Sequence, residues 1–245
     1  MNITAFILTT LAGLSTLLGT IPIFIKTKPN KIITSALSFA AGVMITVSLI
    51  DLIPEGINYI HNTFKIIPTI LIIPIFIVLG IIISMTIDRY ISNREGELYK
   101  VGIISMLAII LHNIPEGIAT YLSGEFNFKL GLSLTIAIAL HNIPEGISIA
   151  VPIYYSKKSR GKALLYTLFS ALSEPLGALL AYLFLSKIIN NNIMGILMSL
   201  IAGIMIQISL YELIPTSLKY KNKKRTITYL IIGILFMIIN HFILK

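Results

Sequence analysis

Long apolar stretches and short polar connections alternate along the whole chain. Eight stretches have the length of a membrane-spanning helix: Ile3–Ile25, Ile33–Ile60, Ile66–Tyr90, Val101–Ser123, Leu130–Ile153, Lys162–Ser186, Ile193–Leu218 and Ile227–Leu244. About 20 residues, rising about 1.5 Å each, cross the roughly 30 Å hydrocarbon layer. Membrane strands would be shorter and would alternate apolar with polar positions, and no such run occurs. The pattern predicts an all-α membrane protein in which eight transmembrane helices form one domain over residues 1–245.

The polar residues inside the apolar stretches carry the chemistry. The octapeptide Leu111-His-Asn-Ile-Pro-Glu-Gly-Ile118 recurs at Leu140–Ile147, once in the fourth stretch and once in the fifth. Ionisable groups at membrane depth are costly and mark functional sites by default. His112 and Glu116 are one helical turn apart and share a face, as do His141 and Glu145. Pro115 and Pro144 donate no backbone hydrogen bond and free the carbonyls of Leu111 and Leu140. Gly117 and Gly146 let a neighbouring backbone come close. A kink with polar groups converging near mid-membrane is expected. Two imidazoles and two carboxylates suit Zn²⁺ or Fe²⁺. Asn113 and Asn142, offset by about 100° around each helix, reach towards a second position that the glutamates would bridge. Taken singly, a Pro-Glu-Gly kink reads as a hinge with a paired acid, and a membrane histidine equally as a helix–helix hydrogen bond or as a ligand. The duplication turns the balance towards a metal or proton pathway.

Glu174, near the middle of the sixth stretch in Ser173-Glu-Pro-Leu-Gly177, would add a third carboxylate. A second repeat relates Ala41–Pro54 to Ala202–Pro215, with Asp51 and Glu212 at matching positions, each followed by Leu-Ile-Pro. These segments lie on the second and seventh stretches, which cross in opposite directions, and the octapeptides are likewise antiparallel. Inverted repeats with interrupted helices around a midplane site point to alternating access. Asp51 then reads as an entry acid and Glu212 as an exit acid, or both as partners of interfacial lysines; Met44 is a soft ligand candidate or a packing residue.

Composition agrees with the membrane reading. Of 245 residues, 56% are hydrophobic and 12% charged, with mean hydropathy +0.92, where a soluble domain carries about a quarter charged. The net charge of +9 could suggest nucleic acid, but its placement does not. Fifteen of the 19 basic residues fall in odd-numbered connections or at their edges: Lys26, Lys28, Lys31; Arg89, Arg94, Lys100; Lys157, Lys158, Arg160, Lys162; and Lys219, Lys221, Lys223, Lys224, Arg225. Only Lys65, Lys129, Lys187 and Lys245 lie on the other side. The positive-inside rule then places both termini outside a plasma membrane. No basic residue precedes Lys26, so the first stretch is expected to be a span and not a cleaved leader. With no Cys, a metal must be held by nitrogen and oxygen donors. Tyr59, Tyr90 and Tyr154 read as an aromatic belt, and His61 and His241 as interfacial. The small-residue patches Ala40-Ala-Gly42 and Gly177-Ala178 suit close packing within a subunit or across a homodimer.

The paired His-Asn-Ile-Pro-Glu-Gly motifs, Ser-Glu-Pro-Leu-Gly on the sixth stretch and eight spans with both ends outside resemble the ZIP (Zrt/Irt-like) metal transporters, nearest their bacterial zinc-transporting branch. The resemblance covers essentially the whole chain. It implies import of Zn²⁺, with Fe²⁺, Mn²⁺ or Co²⁺, into the cytoplasm through a binuclear site. One ion would be held by His112, Glu116, His141 and Glu145, the other by Asn113, Glu116, Asn142, Glu145 and Glu174. Many members carry Asp where this chain has Asn142, and several carry Gln at His141; the neutral Asn lowers the negative charge of the second position. The long His-rich loop between spans three and four is replaced by a short stretch around Asn93–Glu97.

Divalent metals as cargo and the bilayer are the expected partners, with no separate cofactor. A membrane-embedded di-metal enzyme could use the same ligands, but no His-Glu-x-x-His set occurs. A proton carrier could use the acids, though imidazoles spaced one turn from them favour metal. A metal sensor would be expected to carry a soluble output domain.

Overall fold

Polar side chains cap the starts of several helices. Asn2 accepts the Ala5 N–H at 3.2 Å, Asn127 those of Lys129 and Leu130 at 2.9 and 3.2 Å, Ser159 that of Lys162 at 3.3 Å, and Asn190 that of Ile193 at 3.1 Å. Each satisfies N–H groups that a helix start leaves without partners. The structure is a computed structural model describing residues 1–61, 66–91, 96–183 and 190–244. Among these, eight helices are long and apolar enough to cross a membrane: α1 (Ile3–Phe24), α2 (Pro29–His61), α3 (Thr69–Tyr90), α4 (Glu97–Phe126), α5 (Phe128–Lys157), α6 (Arg160–Leu183), α7 (Asn191–Lys219) and α8 (Lys223–Ile243). Helices α4 and α5 overrun the predicted Val101–Ser123 and Leu130–Ile153 at both ends; Asn127 caps the start of α5, while Gly96 before α4 offers no side-chain cap. Lys65, Arg94, Lys187, Lys245, the segment 93–95 and the predicted end at Ser186 lie outside the described residues.

Proline shapes four of the helices in two ways. In α2 and α7 the helix widens to π geometry at Ser48–Leu52 and Ser209–Leu213, just before Pro54 and Pro215. Each wide turn contains the carbonyl four residues ahead of the proline, which has lost its N–H partner. In α4 and α5, Pro115 and Pro144 sit inside helix that runs on without a break.

Glycines set how closely the helices approach. A Cβ on Gly42 of α2 would strike the Leu230 carbonyl of α8, and one on Gly233 of α8 the Phe39 carbonyl of α2. The same exchange joins α7 to α3, through Gly203 against Ile77 and Gly80 against Leu200. Gly117 of α4 lies against the backbone of Glu174 in α6, and Gly146 of α5 against that of Thr16 in α1. The Ala40-Ala-Gly42 and Gly177-Ala178 patches are used up inside the subunit: the three alanines are fully buried and Gly177 abuts Ile114. Large aliphatic side chains such as Ile70, Leu71, Ile75 and Val78 on α3 point outward. The interior carries small polar links, among them Ser38 to Ser217 at 2.7 Å and Ser84 to Gln207 at 2.5 Å, which is membrane-protein packing.

Candidate metal centre

Helices α4, α5 and α6 bring seven polar side chains together in the middle of the bundle. Helix α4 supplies His112, Asn113 and Glu116, α5 supplies His141, Asn142 and Glu145, and α6 supplies Glu174. None is more than 7% exposed. An acid at the helix centre costs on the order of 3 kcal/mol to insert in a membrane. Such a cluster therefore needs a compensating partner.

The geometry suits a cation. Glu116 Oε1 lies 3.2 Å from His112 Nε2 and 3.1 Å from His141 Nε2, and Glu145 Oε1 lies 3.4 Å from His112 Nε2. Two ligands of a tetrahedral zinc ion stand about 3.3 Å apart when each bond is about 2.05 Å. The measured separations match that edge. Donor atoms of His112, Glu116 and His141 all lie within 4.8 Å of one another. The two imidazoles are 6.2 Å apart, centre to centre.

Beside this trio lies a second group. Asn142 Nδ2 donates to Glu174 Oε2 at 3.1 Å and to the Ala12 carbonyl of α1 at 3.0 Å. Both oxygens of Glu145, Glu116 Oε2, Glu174 Oε1, Asn142 Oδ1 and the whole Asn113 amide are buried with no hydrogen-bond partner among the described residues. Native interiors rarely leave such atoms unpaired. A concentration of acceptor oxygens among buried imidazoles is the donor set a divalent cation requires. Gly117 and Gly146, each one residue beyond its glutamate, place the α6 and α1 backbones against the site.

The outlying sequence candidates separate. Asp51 Oδ1 lies 2.7 Å from His241 Nδ1, joining α2 to α8. A cavity of about 330 Å³ runs from this pair to Glu116 and His141, with Glu55 and Tyr59 also on its wall. It lies at the end of the bundle where α4 meets α5, since Ser123 and Leu130 line it. His241, expected at the interface, is therefore a cavity residue, and so is Tyr59. Glu55 was missed. Its signal was present: Ile53-Pro-Glu-Gly-Ile57 is a third copy of the pentapeptide at Ile114–Ile118 and Ile143–Ile147. Glu212 lies at the opposite end, hydrogen-bonded to Asp88. Asp88 pairs with Lys100 at 2.6 Å, and Glu97 with Lys219, tying α3, α4 and α7 there. Met44 is fully buried in the apolar core.

Comparison with known proteins places the chain among similar sequences. Residues 94–241 match the family described as ZIP Zinc transporter. Over nearly full length the chain is similar to three proteins named Zinc transporter ZupT. That of Clostridium perfringens is 38% identical, over 96% of this chain and 94% of the relative. That of Streptococcus mutans is 38% identical over 97% and 96%, and that of Oceanobacillus iheyensis 39% identical over 96% of each.

Proposed function

The chain belongs to the ZIP zinc transporter family, a family of transporters and not of enzymes, and on that footing we propose that it carries Zn²⁺ across the plasma membrane into the cytoplasm. The observation that carries the reading is the buried trio His112, Glu116 and His141, at 3.1–3.2 Å contacts, ringed by unpaired acceptor oxygens. One ion is held by His112, Glu116, His141 and Glu145. A second is held by Asn113, Asn142 and Glu174, with Glu116 and Glu145 bridging. The same nitrogen and oxygen donors accept Fe²⁺, Mn²⁺ and Co²⁺.

The mechanism is alternating access within one domain of eight spans, residues 1–245, both termini outside. The basic ends of α5–α6 and α7–α8 support that orientation. Support for inverted repeats comes from matched local structure. The π turns of α2 and α7 occur at the same register, and the Gly42–Leu230 and Gly233–Phe39 contacts have counterparts at Gly203–Ile77 and Gly80–Leu200. Gly117 against Glu174 likewise has a counterpart in Gly146 against Thr16. The relation exchanges α1 with α6, α2 with α7, α3 with α8 and α4 with α5. Thr16 thus stands where its mate carries Glu174, so the third carboxylate comes from one half only.

In this reading the cavity from Asp51 and His241 to Glu116 is the outer entry. Zn²⁺ exchanges water for these oxygens and then for the central donors. The Asp88–Lys100 and Glu97–Lys219 pairs close the cytoplasmic side, with Glu212 the exit acid beside them. Movement of α1, α4, α5 and α6 against α2, α3, α7 and α8 would open it. A homodimer would have to use surfaces other than the two small-residue patches.

The test is Zn²⁺ uptake into proteoliposomes by the wild type, Glu116→Ala and Glu145→Ala. Saturable uptake that both variants lose supports the reading. Folded wild type that binds Zn²⁺ stoichiometrically without uptake would overturn it in favour of a sensor.

A further inference from the structure

Behind the metal centre, at the basic end of the bundle, lies a second crevice of about 480 Å³. It is bounded by the end of α1 and by Ile147 of α5 on one side, and by α2 and α8 on the other. Its wall is mostly apolar, with Phe39, Ile147 and Ile232 lining it, and its rim carries two cations, Lys31 and Arg225. The lining contains no acid, and neither cation forms an ion pair among the described residues.

Arg225 is held in place. Its Nε donates to Ser35 Oγ at 2.6 Å, and its guanidinium lies 5.2 Å from the Tyr229 ring centre. That leaves its terminal nitrogens, which sit in a planar fork suited to phosphate, for another acceptor. Lys31 is exposed at the same rim. Two cations above an apolar slot match a phosphate ester carrying an acyl chain. A free phosphate would leave the slot unfilled, and a zwitterionic lipid would bring an ammonium to the two cations. Lys26, Lys28, Lys223 and Lys224 crowd the same end of the bundle, where anionic lipid gathers and basic pockets between helices take anionic headgroups.

We propose that this crevice binds an anionic phospholipid, its phosphate on Arg225 and Lys31 and an acyl chain against Phe39, Ile147 and Ile232. The lipid wedges between the α1–α5 wall and the α2–α8 wall. Ile147 is two residues from Glu145, so the bound chain lies against the back of the metal centre's own helix. Its effect on transport rests on the function proposed above; its binding does not.

The chain contains no Trp, so Tyr229→Trp introduces a single indole at the crevice and Leu164→Trp a single control indole on α6 towards the same end. Each is reconstituted in phosphatidylcholine containing one-tenth brominated phosphatidylglycerol, or the same fraction of brominated phosphatidylcholine. At position 229 the brominated anionic lipid is expected to quench with about five-fold preference, the size of one basic residue's attraction for an anionic surface. Adding Lys31→Gln and Arg225→Gln should remove the preference, and Arg225→Lys should keep part of it. Equal quenching by the two lipids at 229 overturns the proposal. So does an equal anionic preference at 164, which would mean general surface charge, and so does loss of the preference on adding inorganic phosphate, which would mean a soluble anion. Because quenching requires no zinc flux, failure of the transport reading leaves this result intact.

Discussion

At the scale of single residues, the centre is defined by atoms that lack partners. Glu116 touches both imidazoles, while Glu145 offers two buried oxygens with no hydrogen bond. Glu116→Gln and Glu145→Gln keep the volume and remove a charge; each should cut Zn²⁺ uptake about 100-fold or more, since removing a ligand exceeds the 10–100-fold loss typical of outer-shell changes. Isotope flux and metal content by mass spectrometry check both. Asn142→Asp replaces the amide that donates to Glu174 with a second negative charge, so it should strengthen the proposed second position and raise bound Zn²⁺ towards two per chain, read by calorimetry. At the cavity mouth, Asp51→Asn or His241→Ala should raise KM about ten-fold, at an entry-site cost of about 1.4 kcal/mol, with the maximal rate kept. A fall in maximal rate at unchanged KM would place the pair elsewhere in the cycle.

At the scale of elements, the Pro-Glu-Gly sequence does three things within one turn. Proline frees a carbonyl, glutamate faces the site, and glycine lets a neighbouring helix touch backbone to backbone. Gly117 and Gly146 have no room for a Cβ against Glu174 and Thr16, whereas a Cβ on Gly161 meets nothing closer than Ser159 Oγ at 4.0 Å. Gly117→Ala and Gly146→Ala should therefore each cost about 1–3 kcal/mol through overpacking, seen as a lower melting temperature in detergent. Gly161→Ala should leave it unchanged or raise it. Equal shifts at all three positions would remove the close-approach argument. The third copy, at Ile53–Ile57, uses the same device differently: Gly56 abuts Ser199 and Gly195 of α7, and Glu55 is left on the cavity wall.

At the scale of the whole molecule, the site-bearing helices pack as pairs. Helix α4 lies on α6 and α5 on α1, while α2 lies on α8 and α3 on α7. If transport moves one set against the other, a tether between them stops it. Asn240 of α8 reaches the Ala137 carbonyl of α5 at 3.4 Å, across that boundary. The chain has no Cys, so Ala137→Cys with Asn240→Cys can be bridged by a short bis-methanethiosulfonate, each thiol displacing a sulfinate to form a disulfide, with no other thiol to react. Bridging should abolish uptake, and a cleavable bridge should restore it on cleavage. Unchanged flux in fully bridged protein would exclude relative movement there.

Eight spans, the two octapeptides and the candidate ligands were legible in the sequence, because a membrane interior punishes polar residues so heavily that those present declare themselves. Register along one helix also follows from spacing alone, which is why His112 and Glu116, and likewise His141 and Glu145, could be placed on one face each, whereas the contacts between helices, His141 to Glu116 and His112 to Glu145, could not. What spacing cannot carry is contact between helices distant in the chain. Only the tertiary structure put His241 on Asp51, 190 residues apart, and brought Glu55 and Tyr59 into the cavity that reaches Glu116. It alone turned the small-residue patches inward and set Arg225 beside Ser35. Those arrangements depend on which helix faces come together, and in lipid, where the tails are as apolar as most helix surfaces, glycine contacts and a few buried hydrogen bonds decide that choice.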